Sequence, residues 1–438
     1  MTGAVAIGEE RTLAAHPLRT AVLNEVHARP FTLMETPRRV LHFTFLTDVE
    51  HAQADRVALA RYLSARGIDP PKADLKYYRA MLGATLLRWE QHAEFTTYTW
   101  DLPSEGLAGV PVPFHPPASD MSDPMRLVPQ PGPLLVAADL HLIADAGAGI
   151  APERLFDRTS LARSVVYGGA AEIATDFLLD PAGYIRILVL DRALGPARAG
   201  SLVQRLLEIE TYRTLALLGL PEAQRVTPQV RRIERALADL TESMRMTEGL
   251  ASNHQQLDRL ITLSSEIEAA AAASSYRFGA SRAYNDILLQ RLQAVDEQPV
   301  ADFPTWASFL SRRMAPALRT CQAIADRQAD LSVKLARAAG LLRTRVDIDV
   351  QRQNLEVLES MNRRSRLQLR LQQTVEGLSI AAVSYYVVGL ISYLAKGIYD
   401  FGVPISPGLI TAAAVPIVVL VLWRLVSRIR KKHSEHEG

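Results

Sequence analysis

The sequence predicts an α+β domain, then a long helical stalk, then a two-helix transmembrane hairpin. Strand patterns of period two are confined to the first part of the chain, helical patterns fill the middle, and two uncharged apolar segments follow. The predicted boundaries are 1–196 for the α+β domain, 197–373 for the helical region and stalk, 374–426 for the hairpin and 427–438 for a basic tail.

Alternating side chains and turn residues predict the elements of the first domain. Residues 39–47 alternate polar and apolar side chains, which is typical of a half-buried strand. A helix is predicted over 50–66, closed by Gly67, and an antiparallel hairpin is predicted from 83–90 and 94–101. Further strands are predicted at 134–143, 163–168, 171–179 and 184–191, with the turn Asp180-Pro181-Ala182-Gly183 between the last two.

After residue 196 the chain has almost no strand signal. Breaks between helices are predicted at 219–221, near Thr227-Pro228 and at 298–304, where Pro and Gly interrupt the apolar periodicity. One long helix is predicted after Pro316, entering the first membrane segment without a break. At about 1.5 Å per residue it would exceed about 100 Å, so it needs partners in its own chain or in other copies.

Two segments are long and apolar enough to cross a bilayer. Leu378–Leu394 and Val403–Trp423 carry no charge, and about 20 helical residues span about 30 Å of hydrocarbon. The loop between them has Lys396 against Asp400, whereas the outer flanks are basic, so both termini are predicted to be cytoplasmic. The flanking basic residues are Arg363, Arg364, Arg366 and Arg370 before the hairpin and Arg424, Arg428, Arg430, Lys431 and Lys432 after it. A buried hairpin in a soluble domain is the alternative.

Composition narrows the function classes. The 438 residues carry a net charge of only +2, and the basic excess lies beside the membrane segments, so no nucleic-acid partner is predicted. The single cysteine, Cys321, excludes an intramolecular disulfide and a Cys-rich metal cluster. The sequence contains no recognised nucleophile arrangement, phosphate loop or HExxH pair. No catalytic residue, metal or cofactor is therefore predicted, and an enzyme is the least supported class.

One face of the predicted stalk helix, which we call the seam, is formed by residues that recur every seven positions. Its central positions are apolar at Leu355 and Leu358 and polar at Asn362 and Ser365. A polar residue at a seam position fixes register and oligomeric state at some cost in stability, so a homo-oligomer is predicted. A helix that packs once against its own domain has the same pattern, and both interpretations stay open.

Charged and polar side chains in the first domain form two alternating rows. Glu25, His27 and Arg29 would share one side of an extended segment. The second row, on the predicted hairpin, is Arg88, Glu90 and His92. If the rows met, they would form a charged cleft for an anion or another chain, or ion pairs that tie the N-terminal segment to the sheet. The tether is the favoured interpretation, with Arg29 paired to a carboxylate such as Glu90.

The first membrane segment has a polar face. Tyr385, Gly389, Ser392 and Lys396 recur at helical spacing. Such a face can line an aqueous path, or it can hold helices together, because Gly permits close approach and hydroxyls hydrogen-bond between helices. The segment contains no Asp or Glu, which disfavours proton or cation transport.

Three stretches carry a family resemblance: 24–30 (NEVHARP), the hairpin residues 87–90 with 94–99, and 341–361. Through them the chain resembles a bacterial family of uncharacterised membrane-anchored proteins, which implies the inner (cytoplasmic) membrane. The long helix, basic flanks and two spans also resemble the CorA-type magnesium channel layout, and the stalk resembles Rmd-type mitochondrial membrane proteins. Those channels have Gly-Met-Asn after the first span, whereas residues 395–402 here read AKGIYDFG, so magnesium selectivity is not implied.

Taken together, these patterns predict a membrane-anchored oligomeric interaction or scaffold protein. The predicted partners are membrane lipid, further copies bound through the stalk and first span, and an unidentified protein. The alternative is a CorA-like ion channel or transporter without the Gly-Met-Asn signature. The two differ in whether the face of Tyr385 and Ser392 lines a continuous axial path.

Overall fold

The computed structural model describes residues 15–19, 22–23, 30–72, 75–104, 112–115, 117, 124–145, 149–246, 249–400 and 406–434. The chain divides into two compact units. The first comprises Met1–Leu240 and Leu260–Arg337, and the second comprises Thr241–Arg259 and Ala338–Gly438. The first unit holds a sheet with helices packed on it, and the second holds two apolar helices.

The sheet is mixed, and the described part of the chain contributes nine strands to it. They are β1 Arg38–Leu46, β2 Tyr77–Leu82, β3 Thr85–Gln91, β4 Phe95–Pro103, β5 Leu134–Ala144, β6 Ala162–Val166, β7 Ala171–Thr175, β8 Ile185–Asp191 and β9 Glu297–Pro299. Their spatial order is β2-β3-β4-β1-β5-β8-β7-β6-β9. The predicted antiparallel hairpin of β3 and β4 is confirmed, and β5 and β8 pair in parallel.

Seven α-helices and two 3-10 helices, Pro124–Leu127 and Tyr167–Gly169, complete the described elements. The α-helices are α1 Val49–Ser64, the single turn α2 Pro152–Leu155, α3 Pro196–Leu217, α4 Gly219–Met246, α5 Leu250–Val295, α6 Trp306–Asp400 and α7 Pro407–Ser434. The α+β domain, the long helical region and two apolar C-terminal helices therefore follow in the predicted order. The long helix does run without a break into the first apolar segment.

The prediction that the first strand is half-buried was wrong. Seven of its nine residues are buried, including Arg39, His42 and Thr44. The aromatic face of β1 belongs to a core with α1, in which Leu59 and Leu63 pack with Phe43, whereas the opposite face lies in the core that α3 shares with the sheet. A strand covered on both faces keeps a period-two alternation, but its polar side chains meet a helix instead of water.

Two predicted helix boundaries were wrong at prolines. Helix α4 runs through Pro228, and α6 begins at Trp306 and runs through Pro316. An interior proline costs about 3 kcal/mol because it loses a hydrogen bond and clashes with the preceding turn. In α4 the flanking Val226 and Val230 are fully buried, and this apolar burial on both sides offsets that cost.

Two short strands were missed. Strand β2 pairs with β3 at the sheet edge, and β9 adds three residues to β6 within the region predicted to be helical. The Glu297 carboxylate of β9 accepts hydrogen bonds from the backbone N–H of Trp306 at 2.7 Å and of Ala307 at 3.1 Å. Strand β9 therefore also supplies the cap at the start of α6, because a carboxylate binds the free N–H groups of a helix N-terminus.

The second unit contains the apolar helices. Every residue of 350–375 on α6 is exposed. Within α6 and α7, the segments Trp306–Ile398 and Pro407–Arg428 are long and apolar enough to cross a membrane. Ser384 and Ala395 on α6 are buried, and the residues between them at three- and four-residue spacing are half-buried. The two apolar helices therefore have the length and pattern of a hairpin.

Candidate binding cavity of the α+β unit

The three predicted hairpin residues meet at one cavity. Arg88 and Glu90 lie on the same face of β3, and His92 follows the strand. The register places Arg88 opposite Thr99 of β4, and Thr99 opposite His42 of β1, so this face continues across three strands. Helix α3 covers it. The cavity is partly open to solvent, has a volume of about 120 Å³ and is lined by His42, Arg88, Glu90, His92, Phe95, Thr97, Gln204, Leu207, Glu208, Thr211, Tyr212 and Arg291.

Oppositely charged side chains of the described residues lie in pairs around this cavity. The Arg88 Nε lies 3.2 Å from the Glu90 carboxylate, which also lies 3.5 Å from the His92 ring. On the helical side, the Arg291 Nε lies 2.5 Å from the Glu208 carboxylate. The Arg88 and Glu90 side chains are 8% and 12% exposed, so this pair interacts in a medium less polarisable than water. The Arg291 and Glu208 side chains are more exposed, at 38% and 24%.

A hydroxyl-bonded histidine forms the floor. His42 Nδ1 lies 2.8 Å from the Thr99 hydroxyl, and His42 Nε2 lies 3.0 Å from the Thr211 hydroxyl of α3. Burial, followed by the positive charge of Arg88, lowers the pKa of His42 from 6.5 to about 3. His42 is therefore neutral at pH 7, with one ring nitrogen donating and the other accepting.

Aromatic rings form one wall. The His92 ring stacks on Phe95 with centroids 4.1 Å apart, and Phe95 meets Tyr212 and Tyr284 edge to face at 6.4 and 6.2 Å. Glu94, beside Phe95, binds both terminal nitrogens of Arg277. These contacts hold the β3–β4 turn against α3 and α5, so the wall is well fixed.

A second cavity of about 210 Å³ shares part of this lining. Gln204, Glu208 and Arg291 belong to both, and Pro30 and Phe31 line the second. The segment at Thr32 lies close against α3, because a Cβ on Gly200 would sit 1.7 Å from the Thr32 carbonyl oxygen. The predicted row Glu25, His27 and Arg29 lies outside the described residues.

The other predicted residues lie in the second unit. Leu355 and Leu358 are 62% and 60% exposed, and Asn362 and Ser365 are exposed too. On the membrane face, Tyr385 and Lys396 are exposed, while Gly389 and Ser392 are half-buried. The described residues assign no partner to the exposed side chains of the seam or of the membrane face. The roles of both stay predictions.

Sequence patterns missed the helical half of the cavity. Gln204, Glu208 and Thr211 recur at three- and four-residue spacing on α3, a pattern that is typical of a solvated face. His42 was missed because it lies in a strand whose polar face was expected to be in water. The sequence pattern that could have indicated the cavity is the high density of hydroxyl and charged residues in β1, β3 and β4 taken together.

A second buried ionic cluster lies elsewhere in the sheet. The Arg39 guanidinium donates to both Asp139 oxygens, at 2.9 and 2.6 Å, and His141 Nε2 lies 3.4 Å from Asp139. All three side chains are at most 3% exposed. Burial alone would raise the pKa of Asp139, but hydrogen bonds from His141 and Arg39 outweigh it and hold the pKa below its ordinary value.

The cavity has the chemistry of a binding site. It offers cationic, anionic and aromatic groups in fixed positions. Over the ranges that the structure describes, no group of three or more His, Cys, Asp or Glu side chains is arranged to hold a metal ion. The described lining residues include no serine or cysteine. The arrangement therefore favours recognition of a small polar group.

Comparison with known proteins gives a family for the chain. No curated protein matches the sequence. The family model described as "Protein of unknown function (DUF3422)" matches residues 14–433, which is most of the 438 residues. This match covers the sheet, the long helices and both apolar helices, and the chain belongs to that family.

Proposed function

We propose that the protein is a membrane-anchored oligomer that holds its α+β unit at the cytoplasmic face of a bacterial inner membrane. The observation that carries the proposal is the exposed stretch 350–375 of α6, which directly precedes the first apolar segment. This stretch is helical, is about 39 Å long at 1.5 Å per residue, and carries nine large apolar side chains. They are Val350, Leu355, Val357, Leu358, Met361, Leu367, Leu369, Leu371 and Val375.

An isolated helix with this composition is poorly stabilised in water. Most helical stability in proteins comes from packing an apolar face, and burying one leucine contributes about 1.5 to 3 kcal/mol. Leu355 and Leu358 are each about three-fifths exposed in the single chain, so most of that contribution is unrealised. Packing the same stretch of several copies together recovers it, with Asn362 and Ser365 setting the register.

Charge supports the orientation. Arg363, Arg364, Arg366 and Arg370 lie on the exposed stretch, and Arg424 and Arg428 lie on α7. Cationic flanks are retained on the cytoplasmic side, and anionic lipid attracts each arginine by about 1 kcal/mol. Both termini are therefore proposed to be cytoplasmic, with membrane lipid as a partner and an unidentified protein as the client of the scaffold.

The test is the mass of the full chain in mild detergent. The double variant Leu355→Lys/Leu358→Lys places two charges in the proposed seam and should reduce the particle to monomers. The matched control is Gln353→Lys/Ser360→Lys, which adds the same charge on the opposite side of the helix at 3.6 residues per turn. The control should keep the wild-type mass.

Two results would contradict the proposal. A monomeric wild type in several mild detergents removes the oligomer altogether. An unchanged mass in the seam variant shows that copies do not meet at Leu355 and Leu358. Light scattering combined with size-exclusion chromatography, corrected for bound detergent, separates these outcomes.

A further inference from the structure

We infer that the 120 Å³ cavity between the sheet and α3 binds a small zwitterion of amino-acid size. Its lining presents two arginines and two glutamates around aromatic rings. The inference concerns the first unit alone, and it does not depend on how copies associate.

Unsatisfied donors point to an acceptor in the cavity. Within the described chain, the Nε atoms of Arg88 and Arg291 are buried and have no hydrogen-bond acceptor. Their glutamates lie at ion-pair distance but without hydrogen-bond geometry. The one hydrogen bond that the described residues offer the Arg88 guanidinium is to the Gln204 side chain, at 3.5 Å. A buried N–H that lacks an acceptor is destabilising, and a ligand carboxylate between the two arginines removes that cost.

Charge balance argues against a ligand with a net charge. The positive charges of Arg88 and Arg291 are already offset by Glu90 and Glu208, and His42 is neutral. A lone anion would add a negative charge beside the largely buried Glu90, which is unfavourable in a medium of low polarisability. A zwitterion adds no net charge.

The cationic end of the ligand has a matching position. The Glu208 carboxylate lines the cavity and accepts one hydrogen bond from Gln204 at 2.9 Å, which leaves it further acceptor capacity. Phe95 and Tyr212 line the same cavity, and an ammonium group is attracted to the faces of such rings. The carboxylate is therefore placed at Arg88 and Arg291, and the ammonium at Glu208 and the rings.

Volume limits the size. A protein cavity of about 150 Å³ accommodates benzene, which has about six non-hydrogen atoms. A cavity of about 120 Å³ accordingly matches glycine, L-alanine or L-serine in size. Buried polar groups enforce such selection strongly, because a ligand lacking one charged end leaves protein groups unpaired.

The experiment measures binding of L-alanine to the full chain in detergent by isothermal titration calorimetry. Acetate and ethylammonium are the comparison ligands, since each retains one charged end. We expect saturable binding of L-alanine and a dissociation constant at least about tenfold weaker for each comparison ligand. L-Leucine should bind more weakly than L-alanine, because its side chain exceeds the volume of the cavity.

Variants locate the site. Arg88→Gln and Glu208→Gln should each weaken L-alanine binding at least about tenfold. Arg79→Gln is the matched control, because Arg79 lies directly opposite Arg88 on the edge strand β2, is exposed, and does not line the cavity. Melting curves show whether each variant is folded.

The ligand comparison on the wild-type protein decides the proposal even if a variant fails to fold. Equal affinity for acetate and L-alanine would make the cavity an anion site and overturn the inference. Equal affinity for ethylammonium and L-alanine would make the cavity a cation site and would also overturn the inference. The absence of binding by glycine, L-alanine and L-serine at millimolar concentration would show that the cavity holds only water.

Discussion

Replacing Asp139 by asparagine should lower the free energy of unfolding of the first unit by about 3 to 5 kcal/mol, the usual cost of removing one partner from a buried ion pair. The Arg39 and Asp139 side chains are 3% and 1% exposed, so water does not replace the lost carboxylate. Arg39 donates two hydrogen bonds to Asp139, at 2.9 and 2.6 Å, and asparagine keeps one acceptor oxygen for them. The bond that is lost contributes about 1.5 to 3 kcal/mol, and loss of the carboxylate charge adds to it.

The assay is chemical unfolding of the full chain in detergent, followed by tryptophan fluorescence. Trp89, Trp100 and Trp306 are buried in the first unit, whereas Trp423 is exposed on α7. A Trp423→Phe background therefore restricts the signal to the unit that contains Asp139. Unfolding midpoints and slopes are compared, since a changed slope would indicate a changed unfolded state instead.

The double variant Arg39→Met/Asp139→Leu is the control. Replacing a buried pair by apolar side chains of similar volume is often neutral, so this variant should recover most of the loss. The pKa of Asp139 is lowered in the folded state, so its contribution is present at neutral pH and is lost as pH falls through the folded pKa. The difference between wild type and Asp139→Asn should therefore shrink in acid. A loss below about 1 kcal/mol at pH 7 would refute the reasoning.

Three further predictions follow from charge and burial. The pKa of His42 is about 3 in the folded state against 6.5 in the unfolded chain, so the unfolded chain binds more protons below pH 7. Lowering the pH from 7 to 5 should therefore destabilise wild type by about 2 kcal/mol relative to His42→Asn. If the stability difference between the two proteins were the same at both pH values, the prediction would be wrong. Arg29→Ala should lower stability by about 1 to 3 kcal/mol if Arg29 pairs with a buried carboxylate such as Glu90, and an unaltered melting temperature would argue against that tether. Reporters fused at Glu437 and Ser406 should give cytoplasmic and periplasmic signals respectively, and a periplasmic signal at Glu437 would exclude the hairpin topology.

The architecture was predictable because its signals are local. Period-two alternation located β1, β3, β4, β5 and β8, and helical periodicity located the long helices. The uncharged segments located the two apolar helices without any tertiary information. The CorA-like resemblance rests on this layout alone and the Rmd-like resemblance on the stretch 341–361, and both stay predictions.

The failures share a physical cause in tertiary packing. Pro228 and Pro316 lie inside helices because packing of the flanking turns outweighs the local cost of proline. Strand β9 has three residues, and its pairing with β6 comes from a segment more than a hundred residues away. No local pattern contains that information.

The sequence predicted only one side of the candidate cavity, for the same reason. Arg88, Glu90 and His92 lie in consecutive alternate positions, so a strand reading brings them together. Glu208 and Arg291 come from α3 and α5, and only the packing of these helices brings them to the same place. Sequence reasoning therefore found the strand side of the cavity, and the helical side needed the structure.

The charged and polar side chains between α3 and strands β1, β3 and β4 call for a function beyond packing. The neighbouring part of the sheet, where Leu140, Ile187 and Leu206 pack together, shows that α3 and the strands can form an ordinary apolar core. Well-packed apolar residues usually stabilise such a layer as well as buried ion pairs do, and a buried arginine with incomplete hydrogen bonds is costly. Arg88 is accordingly better explained by a ligand that completes its hydrogen bonds than by a role in folding alone. On this argument the empty and ligand-bound proteins should differ measurably in stability, because the ligand binds the folded state and not the unfolded chain.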